Sequence, residues 1–278
     1  MASLASSQSA PGNKVLIYRH ALAVRVLHWI NAIVLLIMLM SGLQIFNAHP
    51  ALYWGKSANF DHPALSLTAV RTPDGGIAGV TQIGPYKFNT TGVLGASNTF
   101  GQITPRGFPD WATIPSFKSL ALGRLWHFFF AWLFVINGLL FASYTFTSGH
   151  FRDLRPTLRD LGNIGKDILD HLRLRFPKGR AALHYNVLQK LAYFTVIFIL
   201  GPLIVLTGLT MSPTMDSAVP QLLSLFGGRQ SARTIHFICA FSFLGFFIIH
   251  IVMVVLSGPI NNLRSMITGR YAIEADDG

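Results

Sequence analysis

Four of the ten histidines stand inside long apolar runs: His28, His127, His236 and His250. An ionisable side chain in hydrocarbon is costly, which makes each a candidate functional group. Imidazole offers a proton that titrates near neutrality and a nitrogen that ligates zinc, copper, nickel or iron. Three of the four follow an arginine at the same interval, in Arg25-x-x-His28, Arg124-x-x-His127 and Arg233-x-x-His236. On a helix, residues i and i+3 share a face, so each arginine lies beside its histidine and is placed to grip a carboxylate with two hydrogen bonds. His236 and His250 are 14 residues apart. That spacing returns to within about 40° of the same helix face, about 21 Å further along the axis.

Such residues need elements to hold them. Runs long enough to cross a hydrocarbon core, about 20 residues each, occur at roughly 26–46, 125–146, 191–211 and 234–257, and none contains Asp, Glu, Lys or Arg. Segment 147–190 carries nine Lys/Arg, whereas the longer loop 47–124 carries six. The positive-inside rule then places the N-terminus, 147–190 and the C-terminus in the cytoplasm, and loops 47–124 and 212–233 on the other side of the membrane. In that orientation His28 and His250 share a depth near the cytoplasm, and His127 and His236 share a depth near the outer face. Two imidazole pairs at two levels are what bis-histidine haem ligation requires, one nitrogen above and one below each iron. The expected fold is an all-α membrane protein, a four-helix transmembrane dihaem cytochrome bundle. It consists of a flexible tail (1–17), a four-span domain (18–268) and a C-terminal tail (269–278). Such six-coordinate haems would pass electrons rather than activate oxygen, with Arg25, Arg124 and Arg233 holding the propionates.

Composition narrows the classes. The chain is 51% apolar and 12% charged, against about 25% charged in soluble proteins. Its net charge of +11 lies beside the spans, which is the pattern of membrane flanks rather than of nucleic-acid binding. Cys239 is the one cysteine, which excludes a disulfide framework, a Cys-ligated iron–sulfur cluster and covalent c-type haem. Loop 47–124 has turn signals such as Thr72-Pro73-Asp74-Gly75-Gly76 but no sustained period, and reads as an irregular lid or docking surface. Leu154, Leu158, Leu161, Ile164, Ile168 and Leu172 recur at steps of three and four among basic residues, predicting an amphipathic helix on the cytoplasmic leaflet. Gly201-Pro202 predicts a kink in span three. The other six histidines, in tails and loops, read as ordinary surface residues.

Arg25-x-x-His28-Trp29, Ser41-Gly42, Arg124-x-x-His127 and Arg233-x-x-His236 with His250 14 residues later resemble the bacterial dihaem membrane cytochromes of the cytochrome b-561 type. These include the b-type subunit of nickel–iron hydrogenases, the gamma subunit of formate dehydrogenase and the cytochrome b subunit of thiosulfate reductases. The resemblance covers roughly 18–268 and implies two b-type haems, a quinone as electron carrier and a periplasmic oxidoreductase partner. Asn186-Val187-Leu188-Gln189 resembles the family's Asn-x-x-Gln start to span three, which makes Asn186 and Gln189 candidates for the quinone headgroup. Both side chains can donate to a quinone carbonyl and accept from a quinol hydroxyl. The chain then reads as an electron-transfer subunit rather than a free-standing enzyme. Two readings compete with it: a transition-metal transporter using the four histidines, and a stand-alone quinol oxidase or ferric reductase. The absence of an intramembrane carboxylate and of an internal repeat weighs against the transporter.

Overall fold

A computed structural model describes residues 14–162, 164–173, 175 and 185–274. The expectations that fall on 1–13, 176–184 and 275–278, including His184, lie outside the described residues. Four helices occupy the four apolar runs: span one Leu22–Phe46, span two Leu120–Thr147, span three Val187–Leu209 and span four Arg229–Leu256. Each of them begins four or five residues before the apolar run does. Large apolar side chains such as Ile33, Trp132, Leu139 and Ile249 project outward along them and are exposed, as lipid-facing residues are. In span three, Thr195–Leu200 winds as a π-helix immediately before Gly201 and Pro202. A wider turn accommodates a residue that has no N–H and whose ring crowds the preceding carbonyls.

The chain divides into two compact units, and every span contributes to both. One comprises Met1–His28, Phe141–Val196 and Gly245–Gly278. Here the first strand, β1 (Lys14–Tyr18), pairs antiparallel with the last, β8 (Arg270–Glu274), Lys14 opposite Glu274 and Tyr18 opposite Arg270. The amphipathic segment is not one helix: Phe151–Leu154 is separated by residues 155–157 from the helical residues Leu158–Gly162 and Ile164–Leu172, which flank residue 163, outside the described residues. Pro156 forces Arg155 into extended backbone (φ −73°, ψ 121°), because the residue before proline avoids the helical region. The apolar stripe is broken accordingly: Leu154 is buried and Leu158 is fully in the open. Asp160 pairs with Lys190 at 3.1 Å, and the Asp167 carboxylate accepts from Val187 N–H at 2.9 Å. An acidic group thus meets the positive end of span three.

The other unit, Trp29–Leu140 and Ile197–Leu244, corrects the all-α expectation. Loop 47–124 is folded. Strands β2 (Ala51–Leu52), β3 (Leu65–Arg71), β4 (Ile77–Ile83) and β5 (Tyr86–Asn89) form an antiparallel sheet in sequence order, and β6 (Ala96–Thr99) pairs with β7 (Gln102–Pro105). The Thr72–Gly76 signal is the turn between β3 and β4, closed by Thr72 N–H on Gly76 O. The strands escape an apolar-alternation reading because Gly79 and Thr81 occupy the covered positions of β4. A Cβ on Gly79 would lie 2.2 Å from Leu94 O, and one on Gly95 (φ +77°) 2.4 Å from Thr68 O. Backbone lies directly on backbone there, which only glycine allows. Leu52, Leu67 and Phe108 from the loop close over Phe46 at the end of span one, with Phe237 of span four against them. This apolar contact seats the loop on the spans.

Candidate functional site

The structure brings the four intramembrane histidines together as two pairs. Within one unit, His127 and His236 have ring centroids 6.2 Å apart with planes at 66°. Within the other, His28 and His250 are 6.3 Å apart at 63°. Two metal–nitrogen bonds of about 2.0 Å plus the half-widths of two rings give about 6.3 Å for imidazoles facing one metal from opposite sides. Both pairs have that separation. Among the described residues no group of three or more His, Cys, Asp or Glu is placed to hold a metal ion, so a shared metal would need its remaining ligands from a macrocycle.

Each ring of the loop-side pair is held in the same way. His127 Nδ1 is 3.1 Å from Ser41 Oγ and 3.2 Å from Met38 O. His236 Nδ1 is 3.2 Å from Thr207 Oγ1 and 3.0 Å from Ile204 O. Ser41 donates its own proton to Ile37 O, and Thr207 to Leu203 O. Hydroxyl and carbonyl alike therefore accept at Nδ1, which fixes the proton there and leaves Nε2 bare for a metal. Beside each hydroxyl is a glycine under the ring: a Cβ on Gly42 would meet His127 Cε1 at 3.3 Å, and one on Gly208 would meet His236 Cε1 at 3.3 Å. Span one thus receives span two's histidine as span three receives span four's. This is a local repeat, Ser41-Gly42 and Thr207-Gly208, where the sequence alone suggested none. Its signal was a hydroxyl–glycine pair recurring in alternate spans, each facing a histidine of the next.

The arginines have distinct surroundings. Arg25 Nη1 donates to Ile267 O at the end of the helix Pro259–Thr268, while its Nε is buried with no acceptor among the described residues. An orphaned guanidinium N–H beside His28 fits a carboxylate such as a propionate. Arg233 Nη2 donates to His49 O, and its guanidinium lies 5.5 Å from the Phe46 ring. Arg124 lies 5.5 Å from the Phe128 ring. Asn186 and Gln189 close a capping box: the Asn186 side chain accepts from Gln189 N–H at 2.8 Å, and the Gln189 side chain accepts from Asn186 N–H at 3.2 Å. Their carbonyl oxygens are committed to starting span three.

Next to that cap is a series of rings that includes His150, which the sequence placed among the ordinary loop histidines. Rings run from His150 to Tyr185 (6.4 Å), Tyr193 (5.5 Å), Phe246 (6.3 Å) and the stacked His250 (5.7 Å). His150 also pairs with Asp153 at 3.1 Å. Burial pushes the Tyr185 phenol up to about 12. Burial, with the charges of Arg19, His150 and His28 adding, pushes His20 from 6.5 down to about 4. Unfolded His20 takes a proton near pH 6.5 and folded His20 near 4, so acid favours the unfolded chain between the two. His20's share of the stability is intact above 6.5 and is lost as the pH falls towards 4, by about 1 kcal/mol per pH unit. Thermal unfolding at pH 7 and 5 should therefore show a larger drop for wild type than for His20→Gln.

Two comparisons with known proteins bear on the family. The family model described as prokaryotic cytochrome b561 matches residues 19–269. A putative protein-methionine-sulfoxide reductase subunit, YedZ1 of Azospira oryzae, is 34% identical over 138 residues, which cover 47% of this chain and 64% of that protein. The aligned part is thus less than two thirds of the relative's length. A match running from before the first span to beyond the last, over four apolar helices that carry paired imidazoles, places the chain in the prokaryotic cytochrome b561 family, as a multi-pass membrane protein of electron transfer that binds b-type haem.

Proposed function

We propose that the chain is the membrane subunit of a two-part oxidoreductase and holds two b-type haems, one between His28 and His250 and one between His127 and His236. The observation that carries this is the pair of ring separations, 6.3 and 6.2 Å, each suited to one iron with its four equatorial ligands supplied by a porphyrin. Bound haem would supply the one-electron couple. The protein's own part is to present Nε2 through the Nδ1 contacts, to hold propionates with Arg25, Arg124 and Arg233, and to cover the rings with apolar side chains. In this reading the termini and 147–190 are cytoplasmic and loop 47–124 is periplasmic, in an inner membrane. The quinone pool exchanges electrons near His28 and His250, where Asn186 and Gln189 cap span three and the phenols of Tyr185 and Tyr193 lie in the ring series leading to His250. The partner sits on the loop side. The relative's name supports a reductase of oxidised protein methionine as that partner.

The deciding experiment is a reduced-minus-oxidised absorption spectrum of the purified chain, with haem and transition metals quantified, for wild type and His250→Ala. Two low-spin b-type haems per chain are expected, falling to about one in the variant. A chain without haem that binds a transition metal instead would overturn the reading in favour of metal transport.

A further inference from the structure

Between β7 and span two the chain does not stay above the spans. Phe108 N–H donates to Asn47 Oδ1 at 2.7 Å and Phe108 O accepts from Asn47 Nδ2 at 3.2 Å, beside the end of span one. Six residues later, Ile114 N–H donates to Met40 O, seven residues back along the helix. Phe117 O then accepts from Gln44 Nε2, and Ser116 O from Arg106 Nη1. Residues 108–114 therefore descend along about 10 Å of span one, at 1.5 Å per residue, before the chain returns to begin span two at Leu120.

Apart from the single 3-10 turn Asp110–Ala112 this segment is irregular, and irregular backbone at membrane depth survives only where protein groups satisfy its donors and acceptors. That requirement accounts for an otherwise odd set of buried polar residues. Gln44, Asn47, Arg106 and Thr113 are each 3% exposed or less. Arg106 Nη2 donates to Gln44 Oε1 at 3.0 Å and to Thr113 Oγ1 at 2.6 Å. Midway down the descent is Trp111, which at 76% is among the most exposed large side chains of the protein. Its backbone is pinned: Asp110 accepts from Trp111 N–H with one carboxylate oxygen and from Phe100 N–H with the other. Phe100, 70% exposed at the β6–β7 turn, is thereby held close to Trp111 with φ +51°. Strained backbone and a bridging carboxylate together present two large rings outward.

We propose that residues 108–117 form a re-entrant lip in the membrane interface and that Trp111, with Phe100, anchors it in the lipid headgroup region of the loop-side leaflet. Depth selects lipid as the occupant. Trp111 lies between levels fixed by Asn47 and Met40, beside the last two turns of the membrane-spanning helix Leu22–Phe46, and indole is the side chain that prefers the interfacial layer at a span's end. The anchor bears on the site described above, because Met40 is two residues from Met38, whose carbonyl accepts from His127.

The test uses the full chain in lipid nanodiscs with Cys239→Ser, and a nitroxide attached at Trp111→Cys, Phe100→Cys, Tyr86→Cys or Leu133→Cys. Air-oxidised samples, free of reductant, are probed with oxygen, which concentrates in lipid, and with a water-soluble nickel chelate. Tyr86 on β5 is the water reference and Leu133 in span two the lipid reference. The labels at 111 and 100 should show an oxygen-to-nickel collision ratio at least about twofold above that at 86 and nearer to that at 133, as interfacial residues do. A ratio at 111 equal to that at 86 would overturn the proposal in favour of a surface open to water and a soluble partner. Shielding from both agents would overturn it in favour of a contact with a second chain. Should Trp111→Cys lose haem, the Phe100→Cys label decides with Trp111 in place.

Discussion

Replacing His236 with alanine is expected to leave the protein with about one haem in place of two, and His127→Ala should do the same. The informative result is the combination. Residues that act on one iron are not additive, because the first removal already empties the site. His127→Ala with His236→Ala should therefore retain as much haem as either single variant, whereas His127→Ala with His28→Ala should retain almost none. Haem per polypeptide, measured as the pyridine complex after purification, reads this directly. The expectation follows from ring separations of 6.2 Å between His127 and His236 and 6.3 Å between His28 and His250. If the His127/His236 double variant lost all haem, the pairing would be wrong even if all four histidines were ligands.

The second large effect is expected at residues that touch no metal. Gly208→Val and Gly42→Val should each empty the loop-side site while leaving both histidines in place. A bare Cβ at either position already comes within 3.3 Å of the ring Cε1, and two further methyls occupy the volume in which the imidazole lies. Alanine gives a graded outcome. It asks the ring to shift by a few tenths of an ångström, so Nδ1 is drawn off its acceptors; losing such orienting contacts typically costs about 10–100-fold in metal-site affinity. The same change favours the helix by up to about 1 kcal/mol, since alanine is the better helix former. Gly208→Ala should thus lose haem faster to an acceptor globin while unfolding no more easily without haem. Unchanged haem transfer for both valine variants would mean that the glycines serve helix packing alone.

The four spans were legible because twenty uncharged apolar residues in a row have few other uses, and the histidine pairs because depth can be counted along a helix once the ends are assigned. What orients the histidines was not legible. Ser41 and Thr207 each donate to a carbonyl of their own helix, so nothing in their local sequence announces that their second role is to accept from a ring 86 or 29 residues away. The folded loop was missed for a related reason. Its central strand β4 is covered at Gly79 and Thr81 rather than at leucines, and its attachment to span one runs in part through Arg106, Gln44 and Asn47, polar residues that sequence logic assigns to water. The single amphipathic helix failed at Pro156, a breaker in plain view that the leucine spacing outvoted.

The ladder between β1 and β8 joins the first described residues to the last, Lys14 against Glu274 through Tyr18 against Arg270. Backbone hydrogen bonds cannot form across a bilayer, so the ladder imposes parity: the chain must cross an even number of times, whatever its loop charges favour. A molecule in which one span failed to insert would have its two ends in different compartments and could never close the pairing. Since β8 follows every span in the chain, β1 waits through the synthesis of all four, and the ladder closes only on a chain whose crossings have come out even.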